Sequence, residues 1–149
     1  MITNQKKKEA LQKELIPQIK NLKTIKREVT FASSRFDLYF ENKDQKHFME
    51  VKGVTLEKNN TAMFPDAPTT RGTRHVREMI QAVEKGYTGY IFFLIQMENI
   101  RSFTPNKKMD PDFSQAIIEA NQKGVKIIAY DSQIKENEIR LAEKVPIFL

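Results

Sequence analysis

Asp37, Glu50 and Lys52 are the residues whose types and spacing carry chemistry in this chain. Glu50 and Lys52 sit in "FMEVKGVTL", a run that otherwise reads as a buried strand. Two other acidic-x-Lys triplets, Glu41-x-Lys43 and Asp44-x-Lys46, fall at a turn and read as surface charge. A hairpin folded about Lys43-Asp44 makes paired positions sum to 87, so Asp37 faces Glu50 and Arg35 faces Lys52. Side chains alternate along strands. Arg35, Asp37, Glu50 and Lys52 therefore share one face, and Phe36, Leu38, Phe40, Met49 and Val51 the other. Facing carboxylates have Cβ atoms about 5 Å apart and repel unless a positive group lies between them. A hard divalent cation, Mg²⁺ or Mn²⁺, meets that need with one or two carboxylates plus water and phosphate. A neighbouring Lys can activate or orient the attacking water, or stabilise charge built up in phosphodiester cleavage. The alternative is an ion-pair ladder, Asp37 with Lys52 and Glu50 with Arg35, on a solvated sheet face.

The surrounding pattern supplies the elements that must hold these residues. Apolar residues near helical spacing predict an amphipathic helix over Asn4–Leu22, broken near Pro17. Strands are expected at Ile25–Phe31, Arg35–Glu41 and Lys46–Thr55. A stretch without periodicity runs from Leu56 to Thr73, long enough to suggest a functional loop. A helix over Arg74–Lys85 ends at Gly86. "YIFFLIQ" is apolar on both faces, as a central strand would be. A helix over Asp110–Lys123 with a Pro in its first turn, the strand "VKIIAY" and a polar edge hairpin complete the chain. A meander followed by strand–helix–strand units implies a mixed sheet with helices on both faces.

Bulk properties narrow the setting. The 149 residues are 40% hydrophobic and 30% charged, ordinary for one globular domain. The absence of Cys and the presence of two His argue against disulfides and a structural zinc site. The longest apolar run, Tyr90 to Ile95, is too short to span a membrane, and the N-terminus has no secretory h-region, so a cytoplasmic location is expected. Net charge is +6, and all of the excess lies in residues 1–36, which hold nine Lys/Arg against three Glu. Lys6, Lys7 and Lys8 open that basic region. A nucleic acid is one reading of it and a solvated helix face the other. Arg71, Arg74, His75 and Arg77 cluster where a helix begins, a place suited to phosphate. Tyr39 and Phe48 are expected to pack in the core, and Gly53 to affect only local stiffness.

Asp, a dozen residues and Glu-x-Lys on a hairpin, followed by a helix and a strand, resembles the PD-(D/E)xK nuclease core with its restriction-endonuclease-like fold. "SSRFDLYF", "MEVKGVTL", "AMFPDAPTTRGTRHVREMI", "SFTPNKKMDPDFSQAIIEANQKGVKIIAY" and "VPIFL", in that order, resemble the sugar fermentation stimulation protein (SfsA) family. The resemblance runs from about Asn4 to the C-terminus. It implies an α/β restriction-endonuclease-like mixed sheet flanked by helices, with an αβββαβ core. It also implies DNA binding and a Mg²⁺- or Mn²⁺-dependent nuclease. By position, Asp37, Glu50 and Lys52 match the catalytic motif, Asp37 and Glu50 as metal ligands, and Glu28 matches a further acidic position. Arg35, Arg71, Arg74, His75, Lys6, Lys7 and Lys8 are the expected nucleic-acid contacts. The family usually carries an N-terminal OB-like domain, absent from this single-domain reading of 1–149. DNA is the expected partner, with a homo-oligomer and a separately supplied OB-like domain as further candidates. The rival function is a non-catalytic DNA-binding regulator of sugar-metabolism genes.

Overall fold

The structure, a computed structural model, describes residues 2–15, 21–43 and 45–149. The expected helix break near Pro17 and the Asp44 half of the hairpin turn lie outside them. Helix α1 (Asn4–Glu14) is capped by Thr3, whose side chain accepts from the Lys6 amide. Strands β1 (Leu22–Phe31), β2 (Ser34–Asn42) and β3 (Gln45–Val54) form the antiparallel meander. The meander leads into β4 (Leu56–Lys58), β5 (Thr61–Phe64) and helix α2 (Thr70–Glu84). Strands β6 (Thr88–Ile95) and β7 (Ser102–Pro105), helix α3 (Pro111–Gln122), and strands β8 (Lys126–Lys135) and β9 (Glu138–Lys144) follow.

Six strands make one mixed sheet in the order β1-β2-β3-β6-β8-β9, with β3, β6 and β8 parallel. Parallel neighbours need long crossovers, which α2 and α3 supply. The polar hairpin expected at an edge is β8–β9. Both sheet faces are covered. Ile91, Phe93 and Ile95 of β6 join the core beneath α2 and α3, while Phe92 and Leu94 meet Leu11 of α1 on the other side. That two-sided burial is why β6 shows no alternation in sequence. Tyr39 and Phe48 pack in the α2-side core, with ring centroids 5.3 Å apart.

Three expectations change. The stretch after Leu56 contains a short hairpin, β4–β5, turning on Asn59 and Asn60 at φ of +53° and +66°. Two left-handed residues are what a tight hairpin requires. This hairpin pairs with β7 to form a second, three-stranded sheet. Helix α2 begins at Thr70, four residues earlier than expected, because the Thr69 hydroxyl caps it by accepting from Gly72 N at 3.0 Å. Phe36 does not share a face with Leu38 and Phe40. It joins the α2-side core with Phe48, so alternation breaks between residues 36 and 38. The break falls where β2 leaves β3, at Asp37.

Candidate functional site

The register places three carboxylates abreast. Arg27↔Leu38 and Val29↔Phe36 bracket Glu28 opposite Asp37, and the β2–β3 ladder, ending at Leu38↔Met49, puts Glu50 next, opposite Asp37. The sum-to-87 pairing holds through every pair from Leu38↔Met49 to Asn42↔Gln45. Beyond it, Asp37 Oδ2 accepts from the Val51 amide at 2.7 Å, so a side chain replaces the next backbone rung. Glu28 adopts φ of +59° inside β1, a left-handed conformation that takes its side chain out of strict alternation.

Three like charges in a row would be destabilising, and basic groups from separate elements offset them. Lys8, from α1, bridges Glu28 Oε1 and Asp37 Oδ1, the latter at 3.2 Å. Arg35 Nε donates to Glu28 Oε2 at 2.9 Å. Lys52 Nζ lies 3.4 Å from Glu50 Oε2, and His75 Nδ1, from α2, bonds the same oxygen. The carboxyls of Asp37 and Glu50 lie close enough to act directly on one another, Glu50 raising Asp37. This places Asp37, Glu50, Lys52 and Glu28 in one cleft of about 350 Å³, lined also by Asn4, Arg71 and Gly72.

Burial and the Glu50 carboxylate push the Asp37 carboxyl up to about 7, against the opposing Val51 amide and Lys8. For Glu50, which is 4% exposed, burial raises the pKa, but the bonds and charges of His75, Lys52 and Asp37 outweigh it and hold the carboxyl well below its ordinary range. The two carboxyls are thus pushed apart, Asp37 up and Glu50 down. Burial lowers the Lys8 ammonium, yet Glu28 and Asp37 more than compensate and raise it. The Lys8 hydrogen bond leads the effects that lower Glu28.

The expected nucleic-acid contacts separate. Arg35 and Arg71 line the cleft with exposed side chains. Arg74 instead faces a neighbouring groove of about 570 Å³, and Arg77 pairs with Glu119 at 2.6 Å. His75, expected as a phosphate contact, is 4% exposed and lies under Glu50, because α2 turns that side of the helix into the core. Lys6 donates to the Asn137 carbonyl at 2.7 Å and pairs with Glu138, away from the cleft. Lys7 packs its ammonium against Gly53, where any Cβ would collide with it. That ammonium is the free end of a flexible stem and can move aside, so the contact alone does not demand glycine. Lys8 is buried inside the site rather than offered to solvent.

Two supporting contacts had no clear sequence signal. Asp110, the α3 N-cap, accepts from Phe113 N and from Thr69 N at 2.8 Å, stapling the start of α2 to α3. Buried Glu78 accepts from Ser33 N, Ser33 Oγ and Ser34 Oγ, tying the β1–β2 turn to α2. Both anchor the elements that carry His75 and Asp37. The "SSR" run preceding Asp37 was the one hint.

Among the described residues, no three His, Cys, Asp or Glu side chains form a ready-made metal shell. The facing Asp37–Glu50 pair nevertheless fits a hard cation that completes its shell with water and phosphate. No helix among those residues is long and apolar enough to cross a membrane.

Residues 1–138 match the family described as the sugar fermentation stimulation protein RE domain. The chain is 50% identical over 142 residues to a sugar fermentation stimulation protein homolog of Alkaliphilus oremlandii, covering 93% of this chain and 60% of that protein. A homolog from Desulfitobacterium hafniense is 50% identical over 128 residues, covering 86% of this chain and 56% of that protein. Thus the chain spans between 56% and 60% of the length of these relatives. Among solved structures, SfsA of Pyrococcus furiosus in complex with Ca²⁺ superposes with a TM-score of 0.85 at 31% identity, covering 95% of this chain and 62% of that one. The mixed sheet, its flanking helices and these matches agree, and the chain belongs to the sugar fermentation stimulation protein family with a restriction-endonuclease-like fold.

Proposed function

We propose that this chain hydrolyses phosphodiester bonds in DNA, in the cytoplasm, using Mg²⁺ or Mn²⁺ held by Asp37 and Glu50. The observation that carries the reading is the placing of Asp37 and Glu50 in one cleft with Lys52, whose Nζ is 3.4 Å from Glu50. The Ca²⁺ bound by SfsA of Pyrococcus furiosus supports a hard divalent ion. When bound, such an ion supplies charge neutralisation and polarises the scissile phosphate. The chain's own residues do the rest. Lys52 orients the attacking water and stabilises charge developing on the phosphate. His75 fixes Glu50 from below, as second-layer partners orient ligands elsewhere. The Val51 amide fixes Asp37. Glu28 assists by holding Lys8 and Arg35. Arg35 and Arg71 receive backbone phosphates at the rim.

The test is nicking of supercoiled plasmid. Wild type with Mg²⁺ or Mn²⁺ converts it to open circles, while chelator, Asp37→Asn and Lys52→Ala abolish conversion. Intact plasmid in every lane would end the proposal.

One observation favours a second reading, a non-catalytic DNA-binding regulator. Lys8, Arg35 and Lys52 already neutralise the three carboxylates without a metal. That reading requires salt-dependent DNA binding that chelator leaves unchanged, with no nicking.

A further inference from the structure

The cleft carries more positive charge than a simple acidic metal site needs. Glu28, Asp37 and Glu50 are matched by Lys8, Arg35 and Lys52, and Arg71 adds to the rim. A divalent cation entering such a balanced site must displace one of the resident bases. The contacts say which. Lys52 lies on Glu50, and Arg35 lies on Glu28. Lys8 is the one ammonium in ion-pair contact with Asp37 among the described residues, 3.2 Å from Oδ1. Oδ2 of Asp37 is held by the Val51 amide, so Oδ1 is the oxygen left to a ligand, and Lys8 already has it.

We infer that Lys8 is a built-in competitor of the divalent cation at Asp37: it occupies the carboxylate in the metal-free protein and swings away when the cation binds. This inference rests on the reading that Asp37 and Glu50 hold a cation. Two positive centres on one oxygen repel strongly where water is scarce, and Lys8 is only 9% exposed. Release does not require α1 to move. Ile2, Ala10 and Leu11 hold α1 in the core, and Lys6 is tied to the Asn137 carbonyl and Glu138. The four-carbon stem of Lys8 can rotate about a fixed backbone. Lys7 shares a small pocket with Lys8 and Asp37 but does not duplicate the role, because its ammonium lies against Gly53 and makes no ion pair with Asp37 among the described residues. Once released, the Lys8 ammonium stays near the mouth of the cleft beside Asn4 and Arg35, where a nucleic-acid phosphate would neutralise it. Lys8 is thus a positioning residue that links cation binding to the charge presented to the phosphate backbone.

Two measurements without DNA test this. Isothermal titration with MnCl₂ compares wild type with Lys8→Gln. Removal of the competitor is expected to tighten Mn²⁺ binding about tenfold, the scale of one lost charge contact. Equal or weaker binding in Lys8→Gln, with wild type still binding, overturns the competition alone. Absence of Mn²⁺ binding in both proteins overturns the competition together with the metal reading. The second measurement needs no substitution, so it stands even if Lys8→Gln fails to fold. Amine acylation of wild type, read by mass spectrometry, should be slow at Lys8 in chelator and several-fold faster in saturating Mn²⁺, with Lys6 unchanged. A Lys8 labelling rate indifferent to Mn²⁺ overturns the inference.

Discussion

The backbone amide of Val51 donates to Asp37 Oδ2 at 2.7 Å, at the point where the β2–β3 ladder would have placed its next rung. A carboxylate thus replaces a carbonyl at the opening between two strands. The strands part there, and the cleft forms in the gap. Asp37 is held by a bond that does not depend on its charge, since Asn in its place still offers an acceptor.

That geometry sets a pH dependence. In the folded protein, Asp37 titrates near 7, above its ordinary value of 3.8. A raised carboxyl stabilises the fold fully below the unfolded value, and the gain is lost as pH rises through the folded one. Glu50 is shifted the other way and contributes a constant amount between pH 5 and 8. Burial lowers His47, which acts in the opposite sense within the same window. The difference between wild type and Asp37→Asn isolates Asp37. In chelator, wild type should lose stability relative to the variant from pH 5 to 8, by about 2–3 kcal/mol. Urea midpoints at four pH values measure it, and a flat difference would refute the raised Asp37 carboxyl.

His75 is the residue whose role differs most from expectation. Its ring supports Glu50 from within the core. His75→Ala strands a buried carboxylate that retains only Lys52 and Asp37, at an expected cost of about 1–3 kcal/mol. Urea unfolding at pH 7 reads this directly. An unchanged midpoint would make the contact incidental.

Lys52→Ala should reduce plasmid nicking by at least about 100-fold, the scale of losing one charge-stabilising group. Lys is not a metal ligand, so the melting shift produced by Mn²⁺ should survive. A variant that nicks at the wild-type rate would remove Lys52 from the chemistry.

The basic groups should differ in their effect on DNA affinity. Arg71 is exposed at the cleft rim, whereas Lys6 is already committed to Glu138 and the Asn137 carbonyl. Arg71→Ala should flatten the slope of log affinity against log salt by about 0.9, one phosphate contact, and Lys6→Ala should leave it unchanged. Fluorescence anisotropy with a labelled duplex at four salt concentrations decides. The reverse pattern would move the DNA path to the β9 side of α1.

Much of this site was legible because it is built on a hairpin. Two strands joined by a short turn have one symmetric register, and that register alone sets Asp37 against Glu50. The helices were legible from apolar periodicity, and the central strand from an apolar run without alternation. The small second sheet was not, because strands of three or four residues are too short to show a pattern. The side on which Phe36 packs was hidden as well, since alternation fails only where β2 departs from β3. Lys8 shows the deeper limit. It meets Glu28 and Asp37 across 20 and 29 residues of chain, a contact made by packing α1 on the sheet and carrying no local signature. Read alone, it is one lysine in a basic helix.

The central claim is that Asp37 and Glu50 form a cation site, and thermal melting with and without Mn²⁺ at pH 8 tests it most directly. At 100 times its dissociation constant, Mn²⁺ should stabilise wild type by about 2.7 kcal/mol. For a domain of this size that corresponds to a rise of roughly 5–10 °C. Asp37→Asn should melt at or above wild type in chelator and gain almost nothing from Mn²⁺. If wild type shows no Mn²⁺-dependent shift and Asp37→Asn melts clearly lower in chelator, the carboxylate row is a structural charge ladder and the account is wrong.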